Sequence, residues 1–237
     1  MSETPGPDDE EAGGSPPCFL HEIGPDGAPV DAQQASDVAR WRKAERSRLI
    51  ALRCALPPED RALHTAAIVR KLDEMISAGS NEILSVYWPI RGEPDLRSWM
   101  RDACLRGLRV ALPVAIELGR PMTFREWRPD SAMARGLWKI PYPAAGPDVV
   151  PTTALAPLVG FDSKCYRLGY GGGFYDRTLA AMRGKPVVIG VGYPQLRIPT
   201  IFPQRHDVPM NWIVTGNEPS ARDLCRSVTL PNGEVRF

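Results

Sequence analysis

Arg167-Leu168-Gly169-Tyr170-Gly171-Gly172-Gly173-Phe174-Tyr175-Asp176-Arg177 places four glycines within five positions, between two arginines and ahead of a carboxylate. In regular structure each glycine costs roughly 0.5–1 kcal/mol relative to alanine, chiefly in backbone freedom. Four together need a purpose: positive φ angles, a very tight bend, or a ligand that must touch bare backbone. The spacing is neither G-x-G-x-x-G nor G-x-x-x-x-G-K-[ST], because no Lys-Ser or Lys-Thr follows. It shares their physics, since backbone N–H groups leading into a helix N-terminus attract anions. A plain tight turn accounts for one or two glycines, but four bracketed by Arg167 and Arg177 read as a loop that wraps phosphate.

The flanks decide the fold. Leu155–Phe161 reads as a buried strand running into the loop, and Gly173–Arg183 as a helix leaving it. Upstream, Ile83–Trp88 is a short β-rich run, Pro94–Arg106 has helical spacing, and Leu108–Ile116 and Thr123–Trp127 read as strands. Val187–Val191 and Trp212–Thr215 are two more. Strand–helix–strand units with helices of this length are right-handed crossovers and imply parallel pairing. Residues 128–153, rich in proline, read as a long surface connection. The fold class expected is α/β: a single three-layer α/β/α domain with a mostly parallel sheet. Ligands of such sheets sit at the carboxyl ends of the strands, where the glycine loop lies.

Two helices precede the first strand. One covers Ser36 to about Leu56 and a second runs to about Ala78, stopped by Gly79-Ser80-Asn81. The first sets Val38, Trp41, Ala44, Leu49 and Leu52 against a basic face of Arg40, Arg42, Lys43, Arg46, Arg48 and Arg53. Such a face is more often solvated surface. Arg42 and Arg46, four apart, share one side and can both reach a phosphate chain. Residues 1–35, mostly polar, Gly and Pro, read as a loose extension, 36–218 as the α/β domain, and 219–237 as a tail.

The 237 residues, 43% apolar and 24% charged, suffice for one sizeable core. A net charge of +1 gives no electrostatic case for a nucleic-acid partner. No apolar run approaches the roughly 20 residues needed to span a bilayer, and the acidic N-terminus does not resemble a secretory signal. Five dispersed cysteines without a CxxC pair or His cluster argue against zinc or iron–sulfur sites and for reduced thiols. The expectation is a cytoplasmic monomer. A phosphate loop calls for a hard cation held by one or two carboxylates; Asp176 and Asp207 are the candidates. Glu93, in Tyr87-Trp88-Pro89-Ile90-Arg91-Gly92-Glu93, is placed to grip a polar ring or simply to precede a helix.

Leu158-Val159-Gly160-Phe161-Asp162 followed by the glycine stretch resembles the 5-formyltetrahydrofolate cyclo-ligase (methenyltetrahydrofolate synthetase) family. The helix with Arg42 and Arg46, the Tyr87–Glu93 segment, and Gln195 through His206-Asp207 agree in order, so the resemblance covers roughly residues 38–216. It implies a Rossmann-like architecture similar to sugar isomerases and CoA transferases. The implied reaction takes ATP and 5-formyltetrahydrofolate to 5,10-methenyltetrahydrofolate, ADP and phosphate, with Mg²⁺. By position, Arg42, Lys43 and Arg46 would contact ATP, and Arg167, Leu168, Gly169, Tyr170, Gly171, Gly172, Gly173, Phe174 and Tyr175 would cradle it. Asp176 and Asp207 would hold the metal. Trp88, Glu93, Tyr170 and Phe174 would bind folate, and Arg167, Tyr170 and Tyr175 would act at the formyl group. Three positions depart from the family pattern: Arg42 stands where lysine is common, Pro194 precedes Gln195 where an acid is expected, and Asn211 replaces an aspartate. The rival readings are a non-catalytic nucleotide-binding relative, and a phosphosugar isomerase or acyl-CoA transferase on a similar sheet. The latter would want a catalytic Glu or His deep in the cleft without a metal pair.

Overall fold

A computed structural model describes residues 32–76 and 82–216. The expected loose extension (apart from residues 32–35), the Gly79-Ser80-Asn81 helix stop and the 219–237 tail lie outside the described residues. The chain divides into two units, Met1–Arg40 and Trp41–Phe237. The described part of the first is helical, and Asp37 there accepts hydrogen bonds from Gln33 and Arg40. The cores and the cleft belong to the second unit.

Helix α1 (Ala32–Ala55) starts four residues before the expected Ser36, because Ala32-Gln33-Gln34-Ala35 are good helix formers. Helix α2 (Pro58–Met75) carries Pro58 in its first turn, where no N–H is missed, with Glu59 and Asp60 beside it at the positive end of the dipole. Strand β1 (Ile83–Ser85), helix α3 (Arg97–Leu105), strand β2 (Arg109–Val114) and strand β3 (Thr123–Trp127) follow. The segment expected as plain connection instead folds as β4 (Met133–Arg135) and β5 (Pro141–Pro143), a two-stranded ladder, and the edge strand β6 (Asp148–Val149). Pro141 and Pro143 sit in the small β4–β5 ladder, which tolerates a missing donor. Strand β7 (Thr153–Pro157) stops at Pro157, and the run expected to continue to Phe161 bends into β8 (Gly160–Phe161), paired with β9 (Arg167–Leu168). Helix α4 (Phe174–Ala181), β10 (Val187–Val191) and β11 (Trp212–Val214) complete the unit.

The main sheet has seven strands in the order β11-β10-β7-β1-β2-β3-β6. The first five are parallel, and β3 and β6 add an antiparallel edge. Side chains alternate between its two faces with period two. Leu84, Leu155, Ile189 and Val214 face a core completed by Ile68 and Leu72 of α2 and by Trp99 and Met100 of α3. Ala156, Val188 and Ile213 face the other core, with Leu49 of α1 and Leu179 of α4. The result is the three-layer arrangement. The chain moves from β1 to β2 on one side, then returns to place β7 on the other, so the strand order reverses between β1 and β7. A crevice opens where such a reversal lies, beyond the carboxyl ends of the strands.

Helix α1 does not present the apolar stripe expected of it. Its buried residues are Arg42, Leu49 and Arg53, while Trp41 is only partly buried and Leu52 is 37% exposed. Leu49 lies so close to β8 that a β-carbon on Gly160 would stand 2.6 Å from its Cδ1. Among the described residues, Cys54 and Cys104 are free thiols. Among the described residues, no helix is long and apolar enough to cross a membrane.

Candidate active site

The crevice at the strand reversal is a cleft of about 540 Å³. The segment leaving β1 lines it with Tyr87, Trp88 and Glu93, and the glycine stretch lines it with residues 167–176, the two meeting where Tyr170 bonds Glu93. Arg42 and Arg46 of α1 close one end beside Asp207, and Trp138 closes the rim. Lys43, one residue along α1, is exposed and outside the lining.

The glycine stretch owes its shape to position-specific geometry. Gly171 and Gly173 have φ of +94° and +63°, backbone that other L residues rarely adopt. Gly173 is the N-cap of α4 and supplies no side-chain cap. Among the described residues, no backbone acceptor takes the amides of Gly171, Gly172 or Gly173. Arg46 leans over this loop. Its Nε donates to the Gly169 carbonyl at 2.8 Å, and its guanidinium carbon would lie 3.3 Å from a β-carbon on Gly171.

Arg167 is buried, stands 4.9 Å over the Tyr175 ring, and donates from Nη2 to Asp176 Oδ2 at 2.8 Å. Its Nε is buried without a hydrogen-bond partner, a state that costs about 1–3 kcal/mol or more for a charged group. The Tyr175 hydroxyl donates to the Leu155 carbonyl at 3.3 Å, and burial raises its pKa well above the ordinary phenol value. Phe174 is buried against Trp138, edge to face at 5.4 Å. Trp138 itself has φ +54° and stays more than half exposed.

Asp176 and Asp207 meet through Val208, whose amide donates to Asp176 Oδ1 at 3.2 Å. Asp207 pairs with Arg42 through both carboxylate oxygens and takes the Gln204 amide at 2.6 Å. Burial works to raise the Asp207 pKa. The hydrogen bonds from Arg42 and Gln204, with the charges of Arg42 and His206, overcome that and hold it below the usual range. Arg42 also donates to the carbonyls of Ile201 at 2.9 Å and Phe202 at 2.8 Å, so most of its donors serve the protein. Among the described residues no group of three or more His, Cys, Asp or Glu side chains is arranged to hold a metal. Two carboxylates, each already paired with arginine, fit a Mg²⁺ that arrives with phosphate oxygens and water as its other ligands, rather than a resident ion.

In the segment leaving β1, Arg91 and Gly92 take φ of +48° and +75° and turn Glu93 back into the fold. Glu93 Oε2 accepts the Ile90 amide at 2.9 Å, and Oε1 accepts the Tyr170 hydroxyl at 2.6 Å. Burial raises the Glu93 pKa; the charge of Arg53, the Tyr170 and Ile90 hydrogen bonds and Arg91 oppose the rise without cancelling it. Tyr170, under burial and the Glu93 charge, is a firmly neutral phenol.

Two residues of the site's supporting structure do not stand out in the sequence. Arg53 is completely buried behind Glu93 and Tyr170. Its signal is its spacing: Arg42, Arg46, Leu49 and Arg53 recur every three to four residues and form one stripe. Asp162 is buried at the end of β8, where it takes the Lys164, Tyr166 and Ile201 amides and so fixes both the β8–β9 turn and the carbonyl that Arg42 holds.

The model of the 5-formyltetrahydrofolate cyclo-ligase family matches residues 38–216. A 5-formyltetrahydrofolate cyclo-ligase of Haemophilus influenzae is 30% identical over 140 residues, 56% of this chain and 75% of that protein. One of Escherichia coli is 31% identical over 139 residues, 56% of this chain and 76% of that protein. Among solved structures, a 5,10-methenyltetrahydrofolate synthetase of Aquifex aeolicus superposes with a TM-score of 0.67 at 26% identity, covering 80% of this chain and 95% of that one. With the strand order, the cleft at the reversal and the glycine stretch all in the matched span, the chain belongs to the 5-formyltetrahydrofolate cyclo-ligase family.

Proposed function

We propose that this enzyme converts 5-formyltetrahydrofolate and ATP to 5,10-methenyltetrahydrofolate, ADP and phosphate. The observation that carries the reading is the union of two kinds of wall in one cleft. Glycine amides and arginines suited to polyphosphate face a buried carboxylate and aromatic rings suited to a pterin. The chemistry needs both at once. An amide oxygen is a poor leaving group until it carries a phosphoryl group. Transfer of the γ-phosphoryl to the formyl oxygen makes it a good one. N10 then attacks the formyl carbon, the C–O bond breaks, phosphate leaves with that oxygen, and N10 loses its proton.

Phosphoryl transfer of this kind asks the protein mainly for positioning and charge neutralisation. Arg46 and the amides of residues 169–173 hold the phosphates, and Arg42 holds Asp207 in place at their edge. Arg167, with its unpartnered Nε, neutralises charge that builds on the transferred group. Asp176 and Asp207 would hold Mg²⁺, which when bound offsets the negative charge of the phosphates. Glu93 accepts pterin N–H groups, Trp88 and Phe174 flank the ring, and Tyr170 and Tyr175 line the formyl end.

The test is spectroscopic. Protein, MgATP and 5-formyltetrahydrofolate together should give the absorbance of methenyltetrahydrofolate, and omission of ATP should abolish it. ATP binding without product would replace this reading with that of a nucleotide-binding relative that has lost folate chemistry.

A further inference from the structure

Arg53 has no exposed surface, although it belongs to a helix whose basic face the sequence suggests is solvated. Its donors are distributed in a specific way. Nε donates to the Arg91 carbonyl at 3.0 Å, in the segment leaving β1. Nη1 donates to the Leu158 carbonyl at 2.8 Å, in the segment leaving β7. One guanidinium therefore ties together the two strand exits between which the cleft opens. Nη2 donates to the Tyr170 hydroxyl at 2.5 Å, and Nη1 lies 3.8 Å from Glu93 Oε1.

The direction of these bonds matters. A phenol has one hydrogen. Because the Tyr170 oxygen accepts from Arg53, its hydrogen is committed to Glu93 Oε1, at 2.6 Å. Chains of hydrogen bonds of this kind reinforce one another in a low-dielectric interior. At the same time the guanidinium is the nearest opposite charge to a carboxylate that is itself buried. The other titratable groups around Glu93 are Arg91 on its own turn, Tyr87 at the exit of β1, Tyr170 on the glycine stretch and Tyr175 on α4. The three tyrosines are neutral phenols with raised pKa values, and Arg91 is exposed, so none substitutes for Arg53.

We infer that Arg53 is a positioning residue for the folate half of the site: it supplies the counter-charge to the Glu93 carboxyl and aims the Tyr170 hydroxyl at it. Its own atoms stay outside the cleft, so its influence passes through Glu93 and Tyr170. The inference builds on the proposed folate reaction only in assigning Glu93 to the pterin; the charge state of Glu93 is measurable without turnover.

The experiment is a pH titration of the Glu93 carboxyl in the full-length chain, with ¹³C-labelled glutamate and the resonance assigned by its loss in Glu93→Gln. An opposite charge at this distance lowers a carboxyl pKa by about 1–3 units, so Arg53→Met should move the titration upward by that amount. Arg53→Lys keeps the charge and should recover part of the shift. Tyr170→Phe, which removes only the hydroxyl, should also move it upward, and the double variant should shift less than the sum of the two. In the kinetic arm, the pH below which KM for 5-formyltetrahydrofolate rises should move by the same amount as the titration. A Glu93 titration unchanged in Arg53→Met overturns the inference; if that variant does not fold, an unchanged titration in both Arg53→Gln and Tyr170→Phe does so. A shifted titration in a protein that makes no methenyl product would sink the proposed reaction and leave the role of Arg53 standing.

Discussion

Alanine at position 171 separates a loop built for a ligand from a loop that merely turns. The backbone there has φ of +94°, and forcing an L side chain into such a region costs on the order of 1–3 kcal/mol. The new methyl would also stand 3.3 Å from the Arg46 guanidinium carbon and 3.4 Å from Nη1. Arg46 is a flexible side chain and yields by a few tenths of an ångström, so backbone strain outweighs the contact. Residue 171 is exposed and its amide has no backbone partner among the described residues, so the free protein relaxes with little loss of stability. The cost returns when ATP requires the original curve. At about 1.4 kcal/mol per decade, Gly171→Ala should lower kcat/KM for ATP by roughly 5–150-fold, with the unfolding temperature nearly unchanged. Gly184→Ala is the control, since a β-carbon there meets nothing within 4 Å. Initial rates across ATP concentrations, with thermal unfolding alongside, make the assay. Wild-type kcat/KM in Gly171→Ala, or an equal fall in Gly184→Ala, would show that the curve of this loop does not serve ATP.

Glu93 is held above the ordinary carboxylate pKa of about 4.3. Its ionised form is therefore lost as pH falls through that higher value, KM for 5-formyltetrahydrofolate should climb there, and Glu93→Gln should flatten the climb in a pH series of initial rates. Asp207 is the opposite case, with a folded pKa below the unfolded value near about 3.9. Its stabilisation is complete above that value and is lost as pH falls through the lower folded one, so Asp207→Asn should remove part of the acid limb of thermal stability below about pH 4. Arg42→Met leaves the part-buried Asp207 without its partner, and urea unfolding should show a loss of about 1–3 kcal/mol. Asp176→Asn should raise the Mg²⁺ concentration needed for half-maximal rate; an unchanged Mg²⁺ dependence would remove Asp176 from the metal site.

The layered architecture was legible because its signals are local and periodic. Thr123–Trp127 and Val187–Val191 form strands over the very residues expected to, and the glycine cost alone pointed to the loop between β9 and α4. What was not legible depends on partners distant in sequence. Helix α1 reads as an apolar stripe with a solvated basic face. Its inward arginines are tolerable only because the carbonyls of Arg91, Leu158, Ile201 and Phe202, and the acids Glu93 and Asp207, come to meet them. No window of the helix contains those groups. The ladder of β4 and β5 was hidden for a different reason, since a Pro-Tyr-Pro strand runs against β propensity and is stable only in a small ladder. Of the residues nominated from sequence, Arg42, Arg46, Trp88, Glu93, the glycine stretch, Asp176 and Asp207 line one cleft. Lys43 points to solvent, because one step along a helix turns a side chain by a hundred degrees or so.

The proposed chemistry turns on where the formyl oxygen goes. 5-Formyltetrahydrofolate labelled with ¹⁸O in the formyl group, turned over with MgATP, should release phosphate carrying one ¹⁸O per methenyltetrahydrofolate formed. Unlabelled phosphate, with the ¹⁸O recovered in water, would contradict phosphorylation of the formyl oxygen and with it the reason for building a polyphosphate loop and a pterin wall into one cleft.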